Sequence, residues 1–246
     1  IEIHAHKTPL SSGILAWKEV NPKGGNPIIF IHGNSASSKV FAKQMNDPNF
    51  EERLIVVDLP GHGESDDAKN PDVTYSFKGY AQALLEFMHT ENIASAVICG
   101  WSLGGHAAID MAWLEPNRVK GLFLTGTPPI DLTLDGFKAG FKPFEGVEFM
   151  SQSTAFTREQ AIKFVSMVGI QENEFPGILE DNMRTDGKAR SMMIANAISG
   201  TEKSHREILE TIQTPLAFVL GLNDEGINGD YIKSLNYANC KRFYEL

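Results

Sequence analysis

The pentapeptide Gly100-Trp101-Ser102-Leu103-Gly104 sets one hydroxyl midway between two glycines. It follows the apolar run Ala96-Val97-Ile98-Cys99 and leads into a helix-forming segment, so it reads as a strand, a sharp turn and a helix with Ser102 at the apex. A serine in such a turn is pushed clear of the sheet, in strained backbone geometry that bulkier neighbours would obstruct. The helix beginning beyond it presents a positive dipole end and unpaired amides, and the Leu103 N–H is set to donate to an oxyanion forming on a carbonyl. Together these make half of an acyl-transfer site. The same letters also fit a glycine-softened turn with no chemistry, so the surrounding elements decide between the two readings.

The elements that would position this serine alternate. Pro27 to Ile31 is continuously apolar, as expected of a strand buried on both faces of a parallel sheet, and runs into His32-Gly33-Asn34-Ser35-Ala36-Ser37-Ser38. A helix is expected near Lys39 to Met45. Arg53 to Leu59 is a second buried strand, ending in the glycine-rich loop Asp58 to Ser65. Tyr75 to Glu91 has helical spacing, with Tyr80, Leu84, Phe87 and Met88 on one face. Val119 to Leu124 and Pro215 to Leu220 are further strands, with helices at Ser204 to Ile212 and Gly229 to Ala238 and a last strand at Cys240 to Leu246. At the front, Ile1 to Thr8 and Ile14 to Val20 read as an antiparallel hairpin joined by Pro9 to Gly13. Alternating strands and helices over this length predict a mostly parallel sheet covered on both faces.

Between Ile130 and Gly200 the alternation stops. The segment is rich in large apolar residues, Phe137, Phe141, Phe144, Phe149, Met150, Phe156, Phe164 and Met167 among them, with helical patches at 158–168 and 189–198. It reads as a helical lid over residues 130–200, inserted into a core made of 1–129 and 201–246. Most of these aromatics are expected to pack within the lid, and a few to face the serine.

The bulk properties narrow the partners. At 246 residues the chain suits one large α/β domain. Its 22 basic and 31 acidic residues give a net charge of −9, which argues against nucleic acid or anionic lipid as the main partner and for a small-molecule substrate. Two cysteines, Cys99 and Cys240, suggest no disulfide framework, and neither a leader nor an apolar run of spanning length is apparent, which fits a cytoplasmic protein. The histidines are scattered, so neither a metal site nor a cofactor is expected. Oligomeric state is not readable.

Three motifs stand in fixed order: His32-Gly33-Asn34, Asp58 to Ser65, and Gly100 to Gly104, each after a strand and joined by Asp224-Glu225 after the penultimate one. Together they resemble the α/β-hydrolase fold family, and the resemblance covers the whole chain. It implies an α/β-hydrolase fold: a mostly parallel central sheet flanked by helices, with a helical cap inserted after the sixth strand. Within the family, Ile31 to Ser35, Gly100 to His106, Gly126-Thr127-Pro128-Pro129 and the lid stretch Arg184-Thr185-Asp186-Gly187-Lys188-Ala189-Arg190 look like the metal-independent N-acyl-homoserine lactonases.

The resemblance assigns roles. Ser102 would be the nucleophile, the Leu103 and Asn34 amides the oxyanion donors, and Glu225, with Asp224 as the alternative, the triad acid. Asn34, Trp101, Phe137, Phe141 and Phe164 would contact substrate, Phe164 standing where the lactonases carry a lid tyrosine. His32 would shape the oxyanion loop, His62 its glycine-rich turn, and His106 would be structural. The catalytic histidine belongs after the final strand, and no histidine here holds that place, since His205 precedes the acid. Because the sequence stops at Leu246 within that strand, the resemblance implies a chain that continues into a histidine loop and a last helix. An ester or lactone would then be cleaved through an acyl-enzyme. A lactonase, a general carboxylesterase and a non-catalytic binding protein on this fold are the competing readings.

Overall fold

The structure is a computed structural model, and it describes residues 1–143 and 145–246; Phe144, one of the expected lid aromatics, lies outside the described residues. Eight strands form one sheet in the order β1-β2-β4-β3-β5-β6-β7-β8. They are β1 (His4–Leu10), β2 (Gly13–Val20), β3 (Ile28–Ile31), β4 (Leu54–Val57), β5 (Ala96–Trp101), β6 (Val119–Thr125), β7 (Leu216–Leu220) and β8 (Cys240–Glu245). β1, β2 and β4 pair antiparallel, and every pairing from β4 to β8 is parallel. The parallel strands β3 and β4 read Ile-Ile-Phe-Ile and Leu-Ile-Val-Val and are almost wholly buried, as a sheet covered on both faces requires.

Helices α1 (Ala42–Met45), α2 (Pro71–Thr74), α3 (Phe77–Thr90) and α4 (Leu103–Leu114) lie within the first six strands; α5 (Leu134–Gly140), α6 (Arg158–Met167), α7 (Ile178–Arg184), α8 (Gly187–Ala197) and α9 (His205–Thr211) lie between β6 and β7, and α10 (Gly229–Ser234) follows β7. α3 is capped by Ser76, whose hydroxyl accepts the Gly79 N–H at 2.9 Å, and it buries Tyr80, Leu84, Phe87 and Met88. Each such fully buried large side chain stabilises by about 1.5–3 kcal/mol. α4 is buried nearly all round, beneath α3 and beside α9. No helix among the described residues is long and apolar enough to cross a membrane.

Local expectations shift in three places. The front hairpin turns at Ser11-Ser12, so Pro9 and Leu10 belong to β1 and pair with Ile14 and Gly13. β1 is an edge strand, where a proline lacking its N–H is tolerated. The helix expected over Gly229 to Ala238 ends at Ser234, and a helix at 178–184 appears that apolar spacing did not announce.

β5 passes into α4 through Ser102, which has φ 52° and ψ −117°. Its N–H donates to the Thr125 carbonyl at 2.9 Å and its carbonyl accepts from Gly105 and His106, so sheet and helix hold the turn from both sides. Glycine is required beside it: a Cβ at position 104 would stand 2.2 Å from the Ile31 carbonyl oxygen and 2.7 Å from that of His32, both backbone atoms. The start of α4 thus rests on the end of β3.

Buried histidines surround this junction. His32 Nε2 accepts the Leu59 N–H at 3.0 Å, so its Nδ1 carries the proton and donates to the Gly33 carbonyl at 2.8 Å. His62 Nδ1 lies 3.1 Å from the Pro60 carbonyl. His106 and His205 meet through their Nδ1 atoms at 2.9 Å, with Asp110 Oδ1 3.3 Å from His205 Nε2 on the far side. Burial lowers the pKa of His32, and lowers those of His62 and His106 well below 6.5; the Asp58 charge partly opposes this at His32, while the neighbouring rings His32 and His205 reinforce it at His62 and His106 respectively.

Two outcomes follow from this packing. Gly104→Ala must move β3 or α4 and lowers stability by about 1–3 kcal/mol, read as a fall of several degrees in thermal midpoint; an unchanged midpoint contradicts the contact. The three rings are held neutral in the folded state, so below about pH 6.5 the unfolded chain binds protons that the folded chain refuses. Stability is therefore full above that pH and falls on acidification, by up to about 1.4 kcal/mol per pH unit for each ring. Denaturant titrations at pH 7.5 and 5.5 check this, and equal stabilities would contradict it.

Candidate active site

The loop leaving β3 lies directly against the Ser102 turn. A Cβ at Gly33 would stand 3.2 Å from Ser102 Cβ and 3.0 Å from the Trp101 ring, so side chain is excluded where the two loops touch. Asn34 follows, and among the described residues neither its backbone N–H nor that of Leu103 has a protein acceptor. Leu103 opens α4, so its own N–H has no intrahelical partner, and the helix dipole is positive at that end. Two amides near one serine hydroxyl can receive negative charge developing on a carbonyl oxygen.

Above Ser102 opens a cavity of about 960 Å³, large enough for a drug-sized molecule. Asn34, Trp101, Ser102, Phe141 and Phe164 line it, as do Asp224 and Glu225. Phe137 does not line it. Its ring stacks behind Phe141 at 4.4 Å between centroids, because α5 ends at Gly140 and Phe141 continues as extended chain, bridged to Ile227. Phe164 is shared with the inserted segment's own core, its ring 5.5 Å from Phe156. Phe149, Met150, Ile162, Met167 and Val168 complete the apolar wall. The only sequence signal for Ile162 and Val168 is their place in and at the end of the helical patch that forms α6.

The carboxylate pair after β7 is separated by its local geometry. Asp224 Oδ1 accepts the N–H groups of Gly226 and Ile227, both at 2.9 Å, so this side chain folds back to build its own loop. Among the described residues Glu225 makes no such bond, and it stands on the cavity wall. The loop is fastened to the inserted segment: the Lys142 N–H donates to the Gly226 carbonyl and the Asn228 N–H to the Gly140 carbonyl, each at 2.9 Å. Leu246, bonded through its N–H to the Leu220 carbonyl at 3.0 Å, also lines the cavity.

The buried histidines take no part in this cluster. His32 braces the 33–34 loop and His62 its own turn, while His106 and His205 pair behind α4, with His106 stacked on Phe77 at 4.4 Å. His4, His6 and His89 lie toward the surface, each beside a carboxylate. Among the described residues no group of three or more His, Cys, Asp or Glu is arranged to hold a metal ion.

Comparison with known proteins agrees with this architecture. Residues 26–238 match the family model for the alpha/beta hydrolase fold. A glutamate-to-glycine variant of the N-acyl homoserine lactonase AidH, solved with N-hexanoyl homoserine, superposes over 99% of this chain and 88% of its own, with a TM-score of 0.91 and 35% identity. A serine-to-glycine variant of AidH, solved with N-hexanoyl homoserine lactone, gives a TM-score of 0.90 at 34% identity over 98% and 89% of the two chains. Among curated proteins, a dihydrolipoyllysine-residue acetyltransferase component of the acetoin cleaving system of Pseudomonas putida is 29% identical over 68% of this chain and 47% of its own. A pimeloyl-[acyl-carrier protein] methyl ester esterase of Nitrosospira multiformis is 36% identical over 43% and 40%. The chain thus spans less than half the length of those two relatives. The sheet order, the strained serine between β5 and α4 and the match over most of the chain agree, and the chain belongs to the α/β hydrolase fold family.

Proposed function

We propose that the protein is a serine hydrolase that opens an ester or lactone through an acyl-enzyme, with N-acyl-homoserine lactones as the favoured substrates. The observation that carries this reading is the position of Ser102, at φ 52° on the floor of an apolar cavity whose wall also holds Asn34 and Glu225. The Ser102 hydroxyl attacks the carbonyl, the Asn34 and Leu103 amides receive the oxyanion, and the Glu225 carboxylate orients and stabilises the imidazolium of the histidine that serves as base. With a lactone, the leaving alkoxide stays tethered to the acyl group, giving a hydroxy-acyl enzyme that water releases. Phe141, Phe149, Met150, Ile162 and Phe164 make an apolar wall suited to an acyl chain, and Trp101 flanks the reacting centre. Residues 130–200 act as a cap over the core of residues 1–129 and 201–246.

Likeness to AidH favours the lactone, while likeness to a methyl ester esterase keeps a general carboxylesterase as the second reading. Removal of acyl-homoserine lactone signals, quorum quenching, would be the physiological consequence. Two unpaired cysteines fit a cytoplasmic setting.

Ring opening of acyl-homoserine lactones, followed by acid release and set beside hydrolysis of a short p-nitrophenyl ester, decides between lactonase and esterase; binding without turnover of either would point to a ligand-binding protein. In the full-length protein, Ser102→Ala lowers turnover by at least about 10³-fold without changing the thermal midpoint, and retained activity removes the nucleophile assignment. Glu225→Gln loses far more turnover than Asp224→Asn, whose main effect is on loop order. The reverse ranking would exchange the two roles.

A further inference from the structure

Arg190 is wholly buried, yet among the described residues it makes no ion pair. Its Nε donates to the Gln152 carbonyl at 2.9 Å, one terminal nitrogen to Ser35 Oγ at 3.1 Å and the other to the Thr154 carbonyl at 2.6 Å. The Phe156 ring lies 4.0 Å from the guanidinium carbon. A cation removed from water among neutral acceptors is strongly disfavoured, and three charge-assisted bonds with an aromatic face offset this only in part. Arg190 joins α8, the 152–154 segment and the loop that leaves β3, so its location rather than its own stability explains the arrangement.

Ser35 is where these forces converge. It has φ 57°, a left-handed conformation that costs a serine free energy and needs external support. Its hydroxyl accepts from Arg190 and donates to Asn34 Oδ1 at 3.0 Å, its carbonyl accepts Asn182 Nδ2 at 2.8 Å, and Asn34 Nδ2 donates to the Met150 carbonyl at 3.0 Å. Next along, Ser37 Oγ donates to Asp181 Oδ2 at 2.6 Å. Arg190, Asn182, Asp181 and Met150 all belong to the segment between β6 and β7. The turn carrying the Asn34 amide is therefore held from the insertion above it as well as from the sheet below.

We infer that Arg190 is a positioning residue for the oxyanion turn: bound across 152–154 and Ser35, it keeps Ser35 left-handed and thereby aims the Asn34 amide at the space over Ser102. The oxyanion hole is then complete only while the inserted segment is docked, so cap seating and charge stabilisation are one event. This rests on the proposed role of Asn34, and the test separates the two.

Arg190→Met keeps bulk and removes the donors; Arg190→Lys keeps the charge, but one ammonium cannot serve three acceptors in the guanidinium's plane. Hydrogen exchange is followed at amides 33–36 and, as control, in β5 and α4, alongside kcat and KM. In both variants the 33–36 amides exchange at least about 10-fold faster while the control amides keep their protection. In both, kcat falls about 10²-fold with KM changed less than about 3-fold. Arg190→Met combined with Ser35→Ala loses little more kcat than the more damaging single change, because both break one contact. If Arg190→Met unfolds, Ser35→Ala alone gives the same exchange and kcat changes. Unchanged exchange at 33–36, a loss confined to KM, or full rescue by Arg190→Lys overturns the inference. Should the native protein turn over neither lactones nor esters, the function reading falls while the exchange arm still decides this one.

Discussion

The architecture depends on one backbone contact, the first turn of α4 resting on the carbonyls that end β3. That closeness exists because position 104 has no side chain, and it forces the chain between β5 and α4 through the narrow turn in which Ser102 is held at φ 52°. It also sets the loop leaving β3 beside the same serine, with Gly33 against Trp101 and Ser102. Ser102 and the Asn34 loop are neighbours for a single steric reason. The strain at Ser102 is sustained because sheet hydrogen bonds on one side and the buried α4 on the other leave it no cheaper conformation.

Around this junction the protein buries polar groups in numbers that need explanation. Asp58 is a fold-building case: its carboxylate accepts the Ser38 N–H at 2.7 Å and the Glu64 N–H at 2.9 Å, pinning the loops after β3 and β4 together. Asp186 does similar work from the insertion, accepting the Tyr75 hydroxyl at 2.7 Å and the Lys188 N–H at 3.0 Å. Arg184 donates to the Ser65 carbonyl at 2.6 Å. The insertion is thus attached to the core by directional polar bonds as well as by α8, whose Ala189, Met193 and Ala197 belong to the main core, while Phe156, Phe164, Val165 and Leu179 form a separate apolar cluster. An attachment of this kind specifies one docked geometry more sharply than apolar contact of the same area.

The sheet and the serine turn were legible because their signals are local. Continuous apolar runs marked β3 and β4, and the glycines around Ser102 marked the elbow whatever lay elsewhere. The Arg184 to Arg190 stretch was recognised by resemblance, but its physical role, a buried cation reaching Ser35, is a contact between residues 155 positions apart. α7 escaped notice because seven residues carry too little periodicity, and its polar Asp181 and Asn182 face the core to bond the loop after β3. The resemblance puts Phe137 in contact with substrate, but no local pattern shows that α5 ends between it and Phe141, leaving its ring stacked on that residue and off the cavity wall. Neighbouring carboxylates at 224 and 225 look alike in the sequence; only the folded loop shows Asp224 bonded to the Gly226 and Ile227 N–H groups.

The central claim is that the Ser102 hydroxyl is an activated nucleophile with oxyanion donors beside it. Mass spectrometry of the full-length protein after reaction with an alkyl fluorophosphonate tests it most directly. The account predicts a single adduct, on the peptide carrying Ser102, that is abolished by prior incubation with a lactone substrate. Labelling that falls on another residue, or a full-length protein that takes up no label, would contradict it.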